Sequence, residues 1–127
     1  MATPTVLIIE DAPELADSLE DMLRLKGYRS IKANSGREGY ELAITEHPAI
    51  TLLDLRLPDI HGFELLRQLR KDPWGESAPV LVLTASESPD LVMSENLGLA
   101  PEQVLRKEDW GIAELAERIS TELNARR

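Results

Sequence analysis

Four short apolar runs in this chain each end on residues that can carry charge or donate a hydrogen bond. Val6-Leu7-Ile8-Ile9 leads into Glu10-Asp11, Ile50-Thr51-Leu52-Leu53 into Asp54, Val80-Leu81-Val82-Leu83 into Thr84, and Val104-Leu105 into Arg106-Lys107. Three carboxylates drawn into one crevice repel one another and raise at least one pKa unless a cation neutralises them. A ligand set made of oxygens, without His or Cys, favours Mg²⁺ or Mn²⁺ over zinc. The ammonium of Lys107 and the hydroxyl of Thr84 suit the dispersed charge on the oxygens of a phosphoryl group. Together these residue types support phosphoryl transfer assisted by a divalent cation.

The runs that carry these residues are too short for helices and fit buried parallel strands. A fifth, more polar stretch, Arg29 to Ala33, follows Gly27 and fits an edge strand, second in order. Between the strands, apolar residues recur three to four apart: Leu15, Leu19, Met22 and Leu23; Tyr40, Ala43 and Ile44; Phe63, Leu66 and Leu69. Ile112, Leu115, Ala116, Ile119 and Leu123 share one face of a closing helix, with Glu114, Glu117, Arg118 and Glu122 on the other. Pro13, Ser35 with Glu38, and Ser88-Pro89 mark helix starts, whereas Gly27 and Gly98 mark stops. Pro48, Pro79 and Pro101 stand before strands, where a helix does not continue easily. Strand and helix therefore alternate five times, which predicts a doubly wound (βα)5 parallel sheet with helices on both faces. In such sheets function gathers beyond the carboxyl ends of the strands, where the polar residues stand.

At 127 residues the chain is expected to form one domain over 1–127, large enough to bury a core. The absence of cysteine excludes disulfides and thiolate metal sites and is compatible with a reducing compartment. No apolar run approaches the roughly 18 to 20 residues needed to span a bilayer, and the N-terminus has no signal-like segment, so a cytoplasmic protein without membrane contact is expected. A net charge of −9 opposes direct nucleic-acid binding. The closing Asn-Ala-Arg-Arg is read as the possible start of a linker.

Val6 to Asp11, Asp54-Leu55-Arg56-Leu57-Pro58 with Gly62, Thr84-Ala85 and Lys107 together resemble the receiver domains of bacterial response regulators, over nearly the whole chain. The resemblance implies a CheY-like, flavodoxin-like sheet with strand order 2-1-3-4-5. It further implies that Asp54 is the phosphoacceptor, that Glu10, Asp11, Asp54 and the backbone carbonyl of Arg56 hold Mg²⁺, and that Lys107 and Thr84 meet the phosphoryl oxygens. A sensor histidine kinase or a histidine phosphotransfer protein would be the donor, with Leu15 and Ser18 among the contacts. The output would pass to a downstream protein or to an effector domain absent from these residues. The receiver is a phosphoacceptor promoting its own modification and reset, not an enzyme with a separate substrate.

Several positions depart from that pattern. Glu108 stands where receivers usually carry proline after a cis peptide; cis before a non-proline residue costs about 2.5 to 4 kcal/mol, so a trans bond and an altered loop path are expected. Val104 stands where an aromatic usually moves with the threonine, and relay by the main chain or by Trp110 is the alternative. The stretch from Leu91 to Gln103 suggests a fourth helix that stops early. A phosphorylation-independent pseudo-receiver, acting as a protein-binding module, is accordingly the rival reading. An aspartate-nucleophile phosphatase would need a second Asp where Arg56 stands, and a flavin or nucleotide carrier would need glycines that Glu10 to Glu14 lack. His47 and His61 are read as polar surface, and Trp74 and Trp110 as packing residues.

Overall fold

The computed structural model describes residues 3–85 and 88–125; Arg126 and Arg127, half of the suggested linker, lie outside them. In chain order the elements are β1 (Thr5–Ile9), α1 (Pro13–Leu25), β2 (Arg29–Ala33), α2 (Gly36–Glu46), β3 (Ile50–Asp54), α3 (Gly62–Lys71), β4 (Val80–Thr84), α4 (Pro89–Ser94), β5 (Val104–Arg106) and α5 (Ile112–Ala125). The strands form one parallel sheet in the order β2-β1-β3-β4-β5, as expected. Its register sets Ile9 beside Leu53, Asp54 beside Leu83 and Thr84 beside Arg106, so four strands end along one edge.

Strands β1, β3 and β4 are buried on both faces, which is why they read as unbroken apolar runs. Side chains alternate between two cores. Val6, Ile8, Ile50, Leu52 and Leu83 pack with Leu19 and Leu23 of α1 and with Leu115 and Ile119 of α5. Leu7, Ile9, Leu53 and Val82 pack instead with Ala43 of α2, Leu65, Leu66 and Leu69 of α3, and Val92 of α4. Thr51, paired with Leu7, shares this second side, and its hydroxyl is buried without a hydrogen-bond partner among the described residues. A buried, unbonded hydroxyl carries an uncompensated desolvation cost, so Thr51→Val is expected to stabilise the fold by about 1 kcal/mol, measured by urea denaturation.

The helix boundaries follow local chemistry. Pro13 opens α1, and Gly27 at φ +90° turns the chain out of it. The Ser35 hydroxyl accepts from Glu38 N at 3.2 Å, while the Glu38 carboxylate reaches one residue beyond the usual capping-box partner, to Asn34 N at 3.0 Å. Ser88 caps α4 through Leu91 N at 3.1 Å. That helix stops at Ser94, ahead of the left-handed Asn96 and Gly98, in keeping with the expected early stop.

The segment after α4 is fastened to α3. Arg70 donates from Nε to Leu97 O at 2.9 Å and from Nη1 to Gly75 O at 2.9 Å and Ala78 O at 2.7 Å, while Arg67 pairs with Glu95. His61 is exposed, as expected, and also caps α3, its Nδ1 accepting from Phe63 N at 3.1 Å. On α5, Arg118 pairs with Glu122 and donates to Glu102 O at 2.7 Å, which ties that helix to the turn before β5. Trp74 stacks on His47 at 4.6 Å, and Trp110 packs against the α1–α5 core, both as packing residues.

Candidate functional site

Because parallel strands start together and end together, the polar residues that follow them meet at one end of the sheet. Glu10 leaves β1, Asp54 is the last residue of β3, and each is almost sealed from solvent, at 3% and 2% exposed. Asp11 is exposed at the rim, yet Glu10, Asp11 and Asp54 each bring one carboxylate oxygen within 4.8 Å of the others. Two of these carboxylates are thus buried, and the third stands over them at the surface.

Lys107 closes the cluster from the other side. It lies just beyond β5, in a short 3-10 turn over Lys107–Asp109, and its Nζ stands 3.0 Å from Asp54 Oδ2 and 3.2 Å from Glu10 Oε1. Arg106 points elsewhere and pairs with Glu108, so it is the ammonium of Lys107 that reaches the carboxylates. No cis peptide occurs among the described residues, and the Lys107–Glu108 bond is trans as expected. The 3-10 turn, closed by Trp110 N donating to Lys107 O at 3.4 Å, carries the chain away from β5 without withdrawing the ammonium.

The main chain completes the holding of each carboxylate. Arg56 N donates to Asp54 Oδ1 at 3.1 Å, and Ala12 N donates to Glu10 Oε2 at 3.1 Å. Among the described residues Glu10 Oε1 has no hydrogen-bond partner; Lys107 is an ionic neighbour, but the hydrogen bond from Nζ goes to Asp54. Burial, first, then hydrogen bonding to Asp54 and the charge of Asp54 push the Glu10 carboxyl from the usual 4.5 up to about 7, against the opposing pull of Ala12 N–H and Lys107. Burial works to lower the Lys107 pKa, but the hydrogen bond and charge of Asp54 together with Glu10 outweigh it and hold the ammonium above its ordinary value.

Among the described residues, an orphaned buried oxygen and three converging carboxylates face the ammonium of Lys107, and the donors are hard oxygens. That set fits Mg²⁺ or Mn²⁺. Thr84 is buried at the end of β4, one residue past the partner of Asp54, and takes no part in the ionic contacts of Glu10, Asp54 and Lys107. Arg56 is exposed, with its main chain bridged to His61 across the loop that follows β3. Val104 is buried in the α2–α3 core.

One participant escaped sequence reasoning. Asp59, midway along the loop between β3 and α3, accepts from Gly36 N at 2.7 Å and from Arg37 N at 2.9 Å at the start of α2. Nothing local in the sequence signalled a partner 23 residues away.

Residues 6–120 match the family described as the response regulator receiver domain. Over 82 residues, 65% of this chain and 68% of the relative, the sequence is 35% identical to protein PilH of Pseudomonas aeruginosa. Over 83 residues, again 65% and 68%, it is 34% identical to the polar-differentiation response regulator DivK of Brucella ovis. Among solved structures, a CheY-like response regulator receiver domain protein from Methanospirillum hungatei superposes with a TM-score of 0.83 and 27% identity, over 98% of this chain and 96% of that one.

Proposed function

Since this chain belongs to the response regulator receiver family of two-component signalling, we propose that its Asp54 accepts a phosphoryl group from a phosphohistidine of a sensor histidine kinase or histidine phosphotransfer protein. The observation that carries the reading is the buried Asp54 carboxylate, held by Arg56 N and Lys107 Nζ beside two further carboxylates. Glu10, Asp11 and Asp54, with the backbone carbonyl of Arg56, would hold Mg²⁺ or Mn²⁺. The cation supplies charge neutralisation around the reacting oxygens.

The nucleophile needs no general base, because a carboxylate is already anionic. An Asp54 oxygen forms the new bond to phosphorus as the phosphorus–nitrogen bond breaks, and that electron pair leaves on the partner's imidazole. The Lys107 ammonium, 3.0 Å from Asp54 before reaction, stays beside the added charge and contacts a phosphoryl oxygen. The Thr84 hydroxyl, on the neighbouring strand, turns toward another phosphoryl oxygen and draws the loop after β4 with it. Attack by water on phosphorus breaks its bond to the Asp54 oxygen, releases inorganic phosphate, restores the carboxylate and ends the signal. With Val104 too small to sweep much volume, the signal travels through the 3-10 turn, where Trp110 N is bonded to Lys107 O. It then reaches a downstream protein or an effector domain.

The second reading, a protein-binding module that works without phosphate, draws on Val104 and Glu108. The test is incubation of the folded chain with Mg²⁺ and a small-molecule acyl phosphate, followed by intact mass. A gain of one phosphoryl group supports the phosphoacceptor, and an unchanged mass supports the module.

A further inference from the structure

We infer that Asp59 is a positioning residue for the phosphoryl and metal site, fastening the loop between β3 and α3, and with it the main chain at Arg56, to the start of α2. The inference rests on the phosphoacceptor reading and adds to it a residue that touches neither phosphoryl group nor metal.

The loop from Leu55 to His61 contains the residues that follow the phosphoacceptor. Its two ends are joined to each other: Gly62 N donates to Leu55 O at 2.8 Å, and Arg56 bridges His61. Closing the base of a loop does not fix its orientation, because the whole loop can still rock about that base. The tip is fixed only by what it touches outside itself. Leu57 and Ile60 rest on the core beneath, and Asp59 makes the polar attachment, with one carboxylate oxygen on Gly36 N and the other on Arg37 N. Two successive N–H groups at a helix start present both the orphan donors and the positive end of the helix dipole, so this forked attachment is charge-assisted. The N–H groups of Arg37 and Gly36, in that order, hold the Asp59 carboxyl below the usual carboxylate range, so it is ionised wherever the site is active.

The neighbouring residue tightens the attachment. A Cβ on Gly36 would stand 2.5 Å from Ile60 Cγ1, so the first residue of α2 has to be glycine for Ile60 to lie against it. Asp59 and Ile60 therefore grip one point on α2, three residues past Ala33, whose carbonyl accepts from Glu10 N at 3.0 Å. The loop that bears Arg56 and the segment that bears Glu10 are thereby referred to the same β2–α2 junction. Support of this kind, one step removed from the ligands, typically changes metal affinity or activity by about 10- to 100-fold when removed.

The test separates positioning from plain helix capping, because α2 has two caps and only one belongs to the loop. Ser35→Ala removes the Ser35 bond to Glu38 N and leaves the loop untouched, whereas Asp59→Ala removes the loop's attachment. Asp59→Asn keeps one acceptor oxygen and serves where the alanine variant folds poorly. Each protein is titrated with Mg²⁺ by calorimetry and phosphorylated with an acyl phosphate at saturating Mg²⁺, with thermal melting alongside. The expected result is Mg²⁺ binding weakened by about tenfold and slower phosphorylation in Asp59→Ala, partial recovery in Asp59→Asn, and wild-type values in Ser35→Ala despite a comparable loss of melting temperature. Equal Mg²⁺ affinity and rate in Asp59→Ala and wild type, or equal losses in Ser35→Ala and Asp59→Ala, would overturn the inference. A wild type that takes no phosphoryl group fails the phosphoacceptor reading itself, and the inference with it.

Discussion

Treated with Mg²⁺ and an acyl phosphate, the wild-type chain is expected to gain one phosphoryl group, and Asp54→Asn to gain none. The effect is close to all-or-none because the substitution removes the nucleophile itself: an amide oxygen has neither the charge nor the nucleophilicity of a carboxylate. The folded frame survives the change, since the amide oxygen of an asparagine at this position can still accept from Arg56 N. Loss of the Lys107 ion pair is offset by relief of repulsion from Glu10, so the variant should melt no lower than wild type. The adduct on the wild type is an acyl phosphate and should disappear on treatment with hydroxylamine. A hydroxylamine-sensitive phosphate on Asp54→Asn would sink the assignment of position 54 and direct attention to Glu10 or Asp11.

The second large effect is a coupling between proton, metal and stability at Glu10. Its folded-state pKa of about 7 stands above the ordinary 4.5, so the folded protein binds this proton more tightly than the unfolded chain. The associated stability is fully present below about pH 4.5 and is lost as pH rises through 7, in total about 3 kcal/mol or roughly 10 °C in melting temperature. Glu10→Gln mimics the protonated carboxyl. It should come within about 1 kcal/mol of wild type at pH 5, exceed it by more at pH 8 in chelator, and show a flatter profile between. Mg²⁺ competes with the same proton, so it should raise the wild-type melting point strongly at pH 8, weakly at pH 5, and much less in Glu10→Gln. Melting curves at the two pH values, with and without Mg²⁺, check all of this. A wild type that loses no more stability than Glu10→Gln between pH 5 and pH 8 contradicts it.

The sheet could be read from the sequence because buried parallel strands must be apolar on both faces, and Val6 to Ile9, Ile50 to Leu53 and Val80 to Leu83 could hardly be anything else. Glu10, Asp54 and Lys107 were legible for the same reason turned round: a charge at the end of such a strand is placed by the strand itself. What was hidden depends on contacts between segments far apart in the chain. Arg70 meets a carbonyl 27 residues away, and its own helix gives no sign that the guanidinium turns back under the loop. The cap supplied by His61 was hidden because imidazole competes poorly with Ser, Thr, Asp and Asn as a sequence signal, though its Nδ1 performs the same task. Val104 and Glu108 announced that the end of β5 would be unusual, yet no residue there marks the 3-10 turn that leaves Lys107 on target.

The guanidinium of Arg70 holds carbonyls from the turn before β4, at Gly75 and Ala78, and from the segment after α4, at Leu97. Half-buried and with no carboxylate beside it in that grip, it is lowered in pKa by burial alone and depends on those three oxygens for its solvation. Neither stretch can let go without stranding a cation, so they should open as one unit. In amide hydrogen exchange, the protected N–H groups of these two stretches would then share a single opening free energy, and Arg70→Met would split it in two.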